Sequence, residues 1–113
     1  MDIMKYKEIG DIILVNLPRE ISVEETMEFS NTFEFLTAKG FCKFILDFSQ
    51  TKFVSSSFLS IMVSCKRSLF SSEGNLILVN VSPQIYKVLE ITELVSFFDI
   101  FSSEEEGIDY FNK

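Results

Sequence analysis

The chain has 113 residues, which is enough for one globular domain and too few for two that each bury a sizeable core, so we expect a single domain over residues 1–113. Hydrophobic residues make up 47% and charged residues 24%, which is typical of a folded domain and excludes a disordered chain. The net charge of −7 argues against nucleic acid or an anionic membrane as a partner, because both would be repelled.

The chain opens with a predicted hairpin. Ile3–Ile9 and the apolar run Ile12–Leu17 are joined by the turn signal Gly10–Asp11, a pattern typical of two antiparallel strands. The second run has four consecutive apolar residues, which indicates a strand that is buried on both faces.

A helix is predicted next. Ser22 can cap it, the carboxylates of Glu24 and Glu25 suit the positive end of the helix dipole, and Gly40 is well placed to end it. We expect its apolar side to contain four residues: Val23, Met27, Phe33 and Leu36.

A strand at Phe44–Phe48 and a second helix follow. This helix should begin after the serine cluster Ser55–Ser57 and run to about Phe70. Its helical angles predict a face that covers the sheet, with other apolar residues on the flank. The predicted face comprises Leu59, Met62, Val63, Leu69 and Phe70, and the flank comprises Phe58, Ile61 and Cys65.

The last third of the chain repeats the alternation. Leu76–Val79 predicts a strand, Ser82 followed by Pro83 predicts the start of a third helix, and a short strand is expected near Phe98–Phe101. Ser102 or Ser103 can cap a final helix. The alternation predicts an α/β fold with a mixed, mostly parallel sheet of four to five strands and about four helices.

The serine cluster is the feature that most suggests a modification site. A phosphate there would be held well, because the first turn of a helix has unpaired N–H groups and a positive dipole end. The alternative is that one serine caps the helix and the others are solvated. The wide apolar stripe of the second helix likewise suggests either a docking surface or packing against a neighbouring helix.

Catalytic and metal chemistry find little support in the sequence. There is no histidine, and Cys42 and Cys65 show no CxxC spacing, so we expect free thiols, no metal ion and no cofactor. The carboxylates, such as Glu24, Glu28 and Glu104, fall on predicted helix starts and faces and indicate a solvated surface. No signal peptide or membrane-spanning run is visible, and we expect a cytoplasmic protein that is not an enzyme.

Several segments resemble the STAS domain family of anti-sigma factor antagonists. Lys43–Phe48 followed by Phe53–Ser60 is similar to a VLDL strand, a loop and a motif close to (F/I)-(M/I)-D-S-(S/T)-G-L-G. Leu17–Ser22 resembles the family's L-x-G-E-L-D stretch, and Val81–Leu89 resembles its S-P-x-V-x-x-x-L helix start. The likeness covers nearly the whole chain and implies a single STAS-like α/β domain.

The resemblance implies that Ser56 is the phosphoacceptor of a partner kinase. Ser22 and Ser55 stand where the family has aspartates, and Phe58 stands where it has a glycine. We expect the partner-binding residues to be Ser22, Ser55, Ser57, Phe58 and Ile61. The ring of Phe58 is expected to be at least partly exposed as an aromatic anchor, and Ser22 is expected to lie near Ser56 on one edge of the domain.

The function implied by the resemblance is partner switching. The unmodified chain would bind an anti-sigma factor that is also a serine kinase, and phosphate on Ser56 would abolish binding. The alternative is a degenerate STAS domain that no kinase modifies and that acts as a constitutive binding or scaffold subunit. The sequence does not determine the oligomeric state.

Overall fold

A five-stranded sheet lies at the centre of the protein. A computed structural model describes residues 4–113, so Ile3, the first residue of the predicted hairpin, lies outside the described residues. The strands of this sheet, in spatial order, are β1 (Lys5–Ile9), β2 (Ile12–Asn16), β4 (Lys43–Asp47), β6 (Asn75–Val79) and β7 (Ile100–Phe101). The pair β1–β2 is antiparallel and the others are parallel, which confirms the predicted mixed sheet.

Two further strands form a small separate sheet that the sequence reading missed. They are β3 (Glu20–Ile21) and β5 (Phe53–Val54), which pair in parallel. Four α-helices complete the α/β fold, as predicted: α1 (Val23–Ala38), α2 (Ser56–Ser68), α3 (Pro83–Ile91) and α4 (Glu104–Phe111). A short 3-10 helix, Phe70–Ser72, follows α2.

The helix starts follow local sequence. Ser22, Ser55, Ser82 and Ser103 are the four N-caps, and Pro83 occupies the first turn of α3. Gly10 in the hairpin turn has φ +64°, a value that glycine adopts without the steric cost that a Cβ brings. No helix within residues 4–113 is long and apolar enough to cross a membrane.

Each central strand is buried on both faces. One face of the sheet, represented by Ile13, Phe44 and Leu76, packs in the main core with α1, α2 and α3. The opposite face, with residues such as Ile45 and Ile77, packs under α4. Burial on both sides explains why these strands show continuous apolar runs and no alternation.

The predicted inner faces of α1 and α2 are partly wrong. In α1 the buried residues are Thr26, Phe29, Phe33 and Leu36, whereas Val23 and Met27 are each 62% exposed. In α2 and the residue that ends it, the buried residues are Phe58, Leu59, Met62, Cys65 and Leu69, whereas Val63 is half-buried and Phe70 is exposed. Each helix is rotated relative to the prediction because α1 and α2 pack against each other as well as on the sheet.

Candidate functional site

The small sheet brings the starts of α1 and α2 together. Each residue of β3 pairs with the residue 33 positions later in β5, since Glu20 pairs with Phe53 and Ile21 with Val54. The backbone N–H of Ser55 continues this register by donating to the carbonyl of Ile21 at 2.9 Å. The caps Ser22 and Ser55 therefore lie side by side, which confirms the predicted proximity of the Ser22 loop and the serine cluster.

The three serines of the cluster have different roles. The Ser55 hydroxyl accepts a hydrogen bond from the backbone N–H of Phe58 at 3.2 Å, which caps α2, and lies 2.9 Å from the Ser57 hydroxyl. It also lies 3.5 Å from the hydroxyl of Thr26 on α1. Ser56, the first residue of α2, is exposed, and its side chain has no hydrogen-bond partner within residues 4–113. Its hydroxyl is thus the one left available to an incoming group.

The backbone N–H and the hydroxyl of Ser22 both form hydrogen bonds within α1. Its backbone N–H donates to the Glu25 carboxylate at 2.9 Å, and its hydroxyl donates to the same carboxylate oxygen. Hydrogen bonds from the Ser22 side chain and then from its backbone lower the pKa of Glu25 below its ordinary value. The Glu25 charge therefore compensates the positive end of α1.

The first turn of α2 differs from those of α1 and α4 in its charge. Glu24 and Glu25 stand in the first turn of α1, and three glutamates stand in that of α4, whereas α2 begins with no acidic residue. Its last turn carries Lys66 and Arg67, which suit the negative end of the dipole. The start of α2 can therefore accept added negative charge more readily than the starts of α1 and α4.

Phe58 is fully buried, and the prediction of an exposed aromatic anchor at this position is wrong. Its ring packs edge-on against Phe29 of α1, with ring centroids 5.3 Å apart. The cause is the local geometry, because the third residue of α2 faces α1 rather than solvent. Phe58 therefore joins the two helices and cannot be a surface contact for a partner. Ile61 remains half-buried and Ser57 is partly exposed.

The exposed aromatic residue at this edge is Phe53, which the sequence reading did not single out. It is 56% exposed and pairs with Glu20 in the small sheet, two residues before the cap Ser55. The available signal was the polar run Ser49–Lys52 before it, which lacks the apolar periodicity of a buried element.

A pair of carboxyl groups links β4 to α4. Asp47, at the end of β4, is buried and accepts hydrogen bonds from the backbone N–H of Ser49 at 2.8 Å and the Asn80 amide at 3.2 Å. Burial opposes ionisation of Asp47, but hydrogen bonds from Glu104, Ser49 and Asn80 outweigh it and lower its pKa. The hydrogen bond with Asp47, with burial and the nearby negative charge, raises the pKa of Glu104.

Glu104 was among the carboxylates considered from the sequence, but its pairing with Asp47 was not anticipated. Glu24 is exposed and Glu28 is only half-buried, so neither forms the buried pair that a catalytic reading would need. Within the part of the chain that the structure describes, no group of three or more Cys, Asp or Glu residues is arranged to hold a metal ion.

Known proteins resemble this chain over almost its full length. A Thermotoga maritima protein named "Putative anti-sigma factor antagonist" is 26% identical over 105 residues, covering 92% of this chain and 93% of its own. A crystal structure of a Thermotoga maritima protein with that description superposes with a TM-score of 0.88 at 24% identity, covering 97% of this chain and 95% of that one.

The anti-sigma factor antagonist SpoIIAA is also similar in fold. Its unphosphorylated form superposes with a TM-score of 0.86 at 22% identity, covering 96% of each chain. The phosphorylated form, from Bacillus, gives a TM-score of 0.76 at 22% identity, covering 95% of this chain and 97% of that one. The model of the STAS domain family matches residues 4–107. With the sheet order and the serine cluster described above, this match shows that the chain belongs to the STAS domain family.

Proposed function

We propose that this protein is a partner-switching regulator of the anti-sigma factor antagonist type. Its unmodified form binds an anti-sigma factor that is also a serine kinase, in the cytoplasm, and phosphorylation of Ser56 ends that binding. The observation that carries the proposal is the contrast within the cluster. Ser55 and Ser57 are hydrogen-bonded, whereas Ser56 is exposed at the first position of α2 and its hydroxyl has no hydrogen-bond partner among the described residues 4–113.

The effect of phosphate follows from its charge and its position. A phosphoserine adds about −1.5 to −2 charges, which a partner would have to desolvate on docking. The start of α2 can hold that charge, because its first turn carries no acidic residue and its N–H groups point toward the modified side chain. Phosphorylation would therefore alter the docking surface and leave the fold intact.

The relatives support this type of regulation. Two of them are named as anti-sigma factor antagonists, and SpoIIAA has been solved in both an unphosphorylated and a phosphorylated form. The burial of Phe58 adds to the support, because its ring does not obstruct the approach of a kinase to Ser56.

The second candidate is a STAS domain that binds its partner constitutively and is never phosphorylated. The observation that favours it is Ser55, which stands beside Ser56 where the resemblance expects an aspartate and is used as a helix cap. A kinase that needs the missing carboxylate would not recognise Ser56.

Intact mass after incubation with ATP and the anti-sigma factor kinase of the same organism separates the two candidates. We expect the wild-type chain and Ser57→Ala to gain one phosphate, about 80 Da of added mass, and Ser56→Ala to gain none. Ser57 is the matched control because it lies in the same turn. A gain of phosphate by Ser56→Ala, or none by the wild type, would contradict control at Ser56.

Calorimetric binding to the same kinase tests the switch itself. We expect the unmodified chain to bind, and Ser56→Glu to bind at least about tenfold more weakly, because the added charge must be desolvated. Ser60→Glu, which places the same charge at an exposed position one turn further along α2, should bind more tightly than Ser56→Glu. Tight binding by both the unmodified and the phosphorylated chain would favour the constitutive alternative.

A further inference from the structure

Large apolar side chains are exposed next to Ser56. Val23 and Met27 of α1 are each 62% exposed, and Phe53 of β5 is 56% exposed. Val23 is the first residue of α1 and Ser56 the first residue of α2, and the two helices follow strands that pair with the same 33-residue offset. Val23 and Ser56 therefore occupy equivalent positions on neighbouring helices. We call Val23, Met27 and Phe53 the apolar rim.

The α1 part of the apolar rim borders α2. Met27 lies one helical turn after Val23 and shares one side of α1 with it. The Thr26 hydroxyl, next to Met27 in the chain, lies 3.5 Å from the Ser55 hydroxyl at the start of α2, so the first turn of α1 lies beside the first turn of α2. The α1 part of the apolar rim therefore lies beside the start of α2, where Ser56 is the first residue.

Acidic residues surround the apolar rim. Glu24 and Glu28 each follow a rim residue of α1 and form an adjacent row on that helix, and Glu20 pairs with Phe53 in the small sheet. Of these three, Glu20 and Glu24 are exposed. Arg19 and Lys52 are the cations that immediately precede the two paired strands. The three carboxylates stand against two cations, and the chain as a whole carries a net charge of −7, so the surface favours a partner with basic residues around an apolar centre.

We propose that the apolar rim is the energetic centre of partner docking, and that its occupant is a protein surface with an apolar pocket edged by Lys and Arg side chains. The inference rests on the proposed function and goes further, because it assigns the binding energy to Val23, Met27 and Phe53 in place of Phe58. It also gives phosphate a specific action. A phosphate on Ser56 would lie beside Val23 and would hold water at the centre of a surface that must lose its water on docking.

The test compares two double variants in binding to the purified anti-sigma factor kinase. Met27→Ala with Phe53→Ala removes most of the apolar rim, and Phe70→Ala with Ile91→Ala removes two side chains of similar type that are 75% and 73% exposed. Phe70 lies just after the C-terminal end of α2, and Ile91 is the last residue of α3, so both control residues lie away from Ser56. We expect the rim variant to bind at least about tenfold more weakly and the control variant to keep wild-type affinity. Circular dichroism and thermal unfolding verify that both variants fold.

Charge reversal tests the basic character of the partner. Glu24→Lys should slow association with the kinase, and the wild-type association rate should fall as salt is added, because the attraction acts over about 8–10 Å in ordinary buffer. Glu105→Lys, at an exposed position of α4, is the matched control and should leave the rate unchanged. An unchanged rate for Glu24→Lys would overturn the assignment of a basic partner.

The outcomes separate this inference from the proposed function. If the wild-type chain binds the kinase, Ser56→Glu does not, and the rim variant binds as tightly as the wild type, the inference fails and the proposed function stands. If the wild-type chain does not bind the kinase, both fail. If the rim variant loses only self-association in sedimentation, the apolar rim joins two copies of this chain and the inference is overturned.

Discussion

At the scale of single residues, Phe58 and Phe53 show how position decides the role of the same side chain. Phe58, in the first turn of α2, is fully buried and packs edge-on against Phe29 at 5.3 Å between centroids. Phe53, five residues earlier, is 56% exposed. The first ring stabilises the contact between α1 and α2, whereas the second is free to contact a partner.

Phe58→Ala should destabilise the fold strongly. Removing a buried ring leaves a cavity between the two helices, and such changes cost about 3–5 kcal/mol of unfolding free energy. Phe53→Ala is the control and should change it by no more than about 0.5 kcal/mol, because the ring is largely in solvent. Urea unfolding followed by circular dichroism measures both. Equal losses for the two variants would show that Phe58 contributes no more to the core than a surface ring.

At the scale of elements, the backbones of two neighbouring strands, β4 and β6, approach each other closely just before each strand begins. A Cβ added at Gly74, just before β6, would lie 2.1 Å from the carbonyl oxygen of Cys42, just before β4. Gly107 makes a softer approach, since a Cβ there would lie 3.0–3.3 Å from the ends of the Val79, Ile77 and Ile45 side chains. Gly74 therefore faces rigid backbone, whereas Gly107 faces side chains that can shift.

Gly74→Ala should consequently destabilise the protein more than Gly107→Ala. The first change forces the two strands apart and should cost about 1–3 kcal/mol or more, as overpacking of a core does. The second also strains packing, but an alanine inside α4 recovers about 1 kcal/mol of helix propensity. Thermal unfolding of the two variants is the measurement. A larger loss of stability for Gly107→Ala than for Gly74→Ala would mean that the backbones just before β4 and β6 can accommodate a side chain at Gly74.

At the scale of the whole molecule, the carboxyl pair of Asp47 and Glu104 joins the central sheet to α4, the last helix. The pKa of Asp47 is lowered, so its contribution to stability is present above its ordinary pKa and is lost as the pH falls through the folded value. The contribution of Glu104 to stability changes with pH in the opposite direction. Because its pKa is raised above 4.5, the folded state loses stability as the pH rises through the folded value.

Glu104→Gln should therefore stabilise the protein at neutral pH. The amide keeps a hydrogen-bond donor for Asp47 without the second negative charge, so the loss of stability on raising the pH above about 4.5 should become smaller. At about pH 4 the variant and the wild type should differ less. Unfolding midpoints measured from pH 4 to pH 8 test this, with Glu105→Gln as the exposed control. A lower midpoint for Glu104→Gln at pH 7 would contradict the raised pKa.

Local signals in the sequence determined the main elements. The strands at Ile12, Phe44 and Leu76 are buried on both faces, so each appears as a continuous apolar run that needs no knowledge of its neighbours. The caps Ser22 and Ser82 act within one helical turn, and the chain therefore marks these helix starts directly. The family motif around Ser56 was likewise readable as residue types in order.

Only the tertiary structure decided which side chains meet. The strands β3 and β5 have two residues each, too few to show any period, and their pairing is what sets the caps Ser22 and Ser55 side by side. The rotation of α1 and α2 depends on their mutual packing, so Phe58 is buried and Met27 is exposed, against the helical-angle prediction. The sequence by itself determined the main elements and the serine cluster at the start of α2, and the surface around that cluster was decided by packing between segments far apart in the chain.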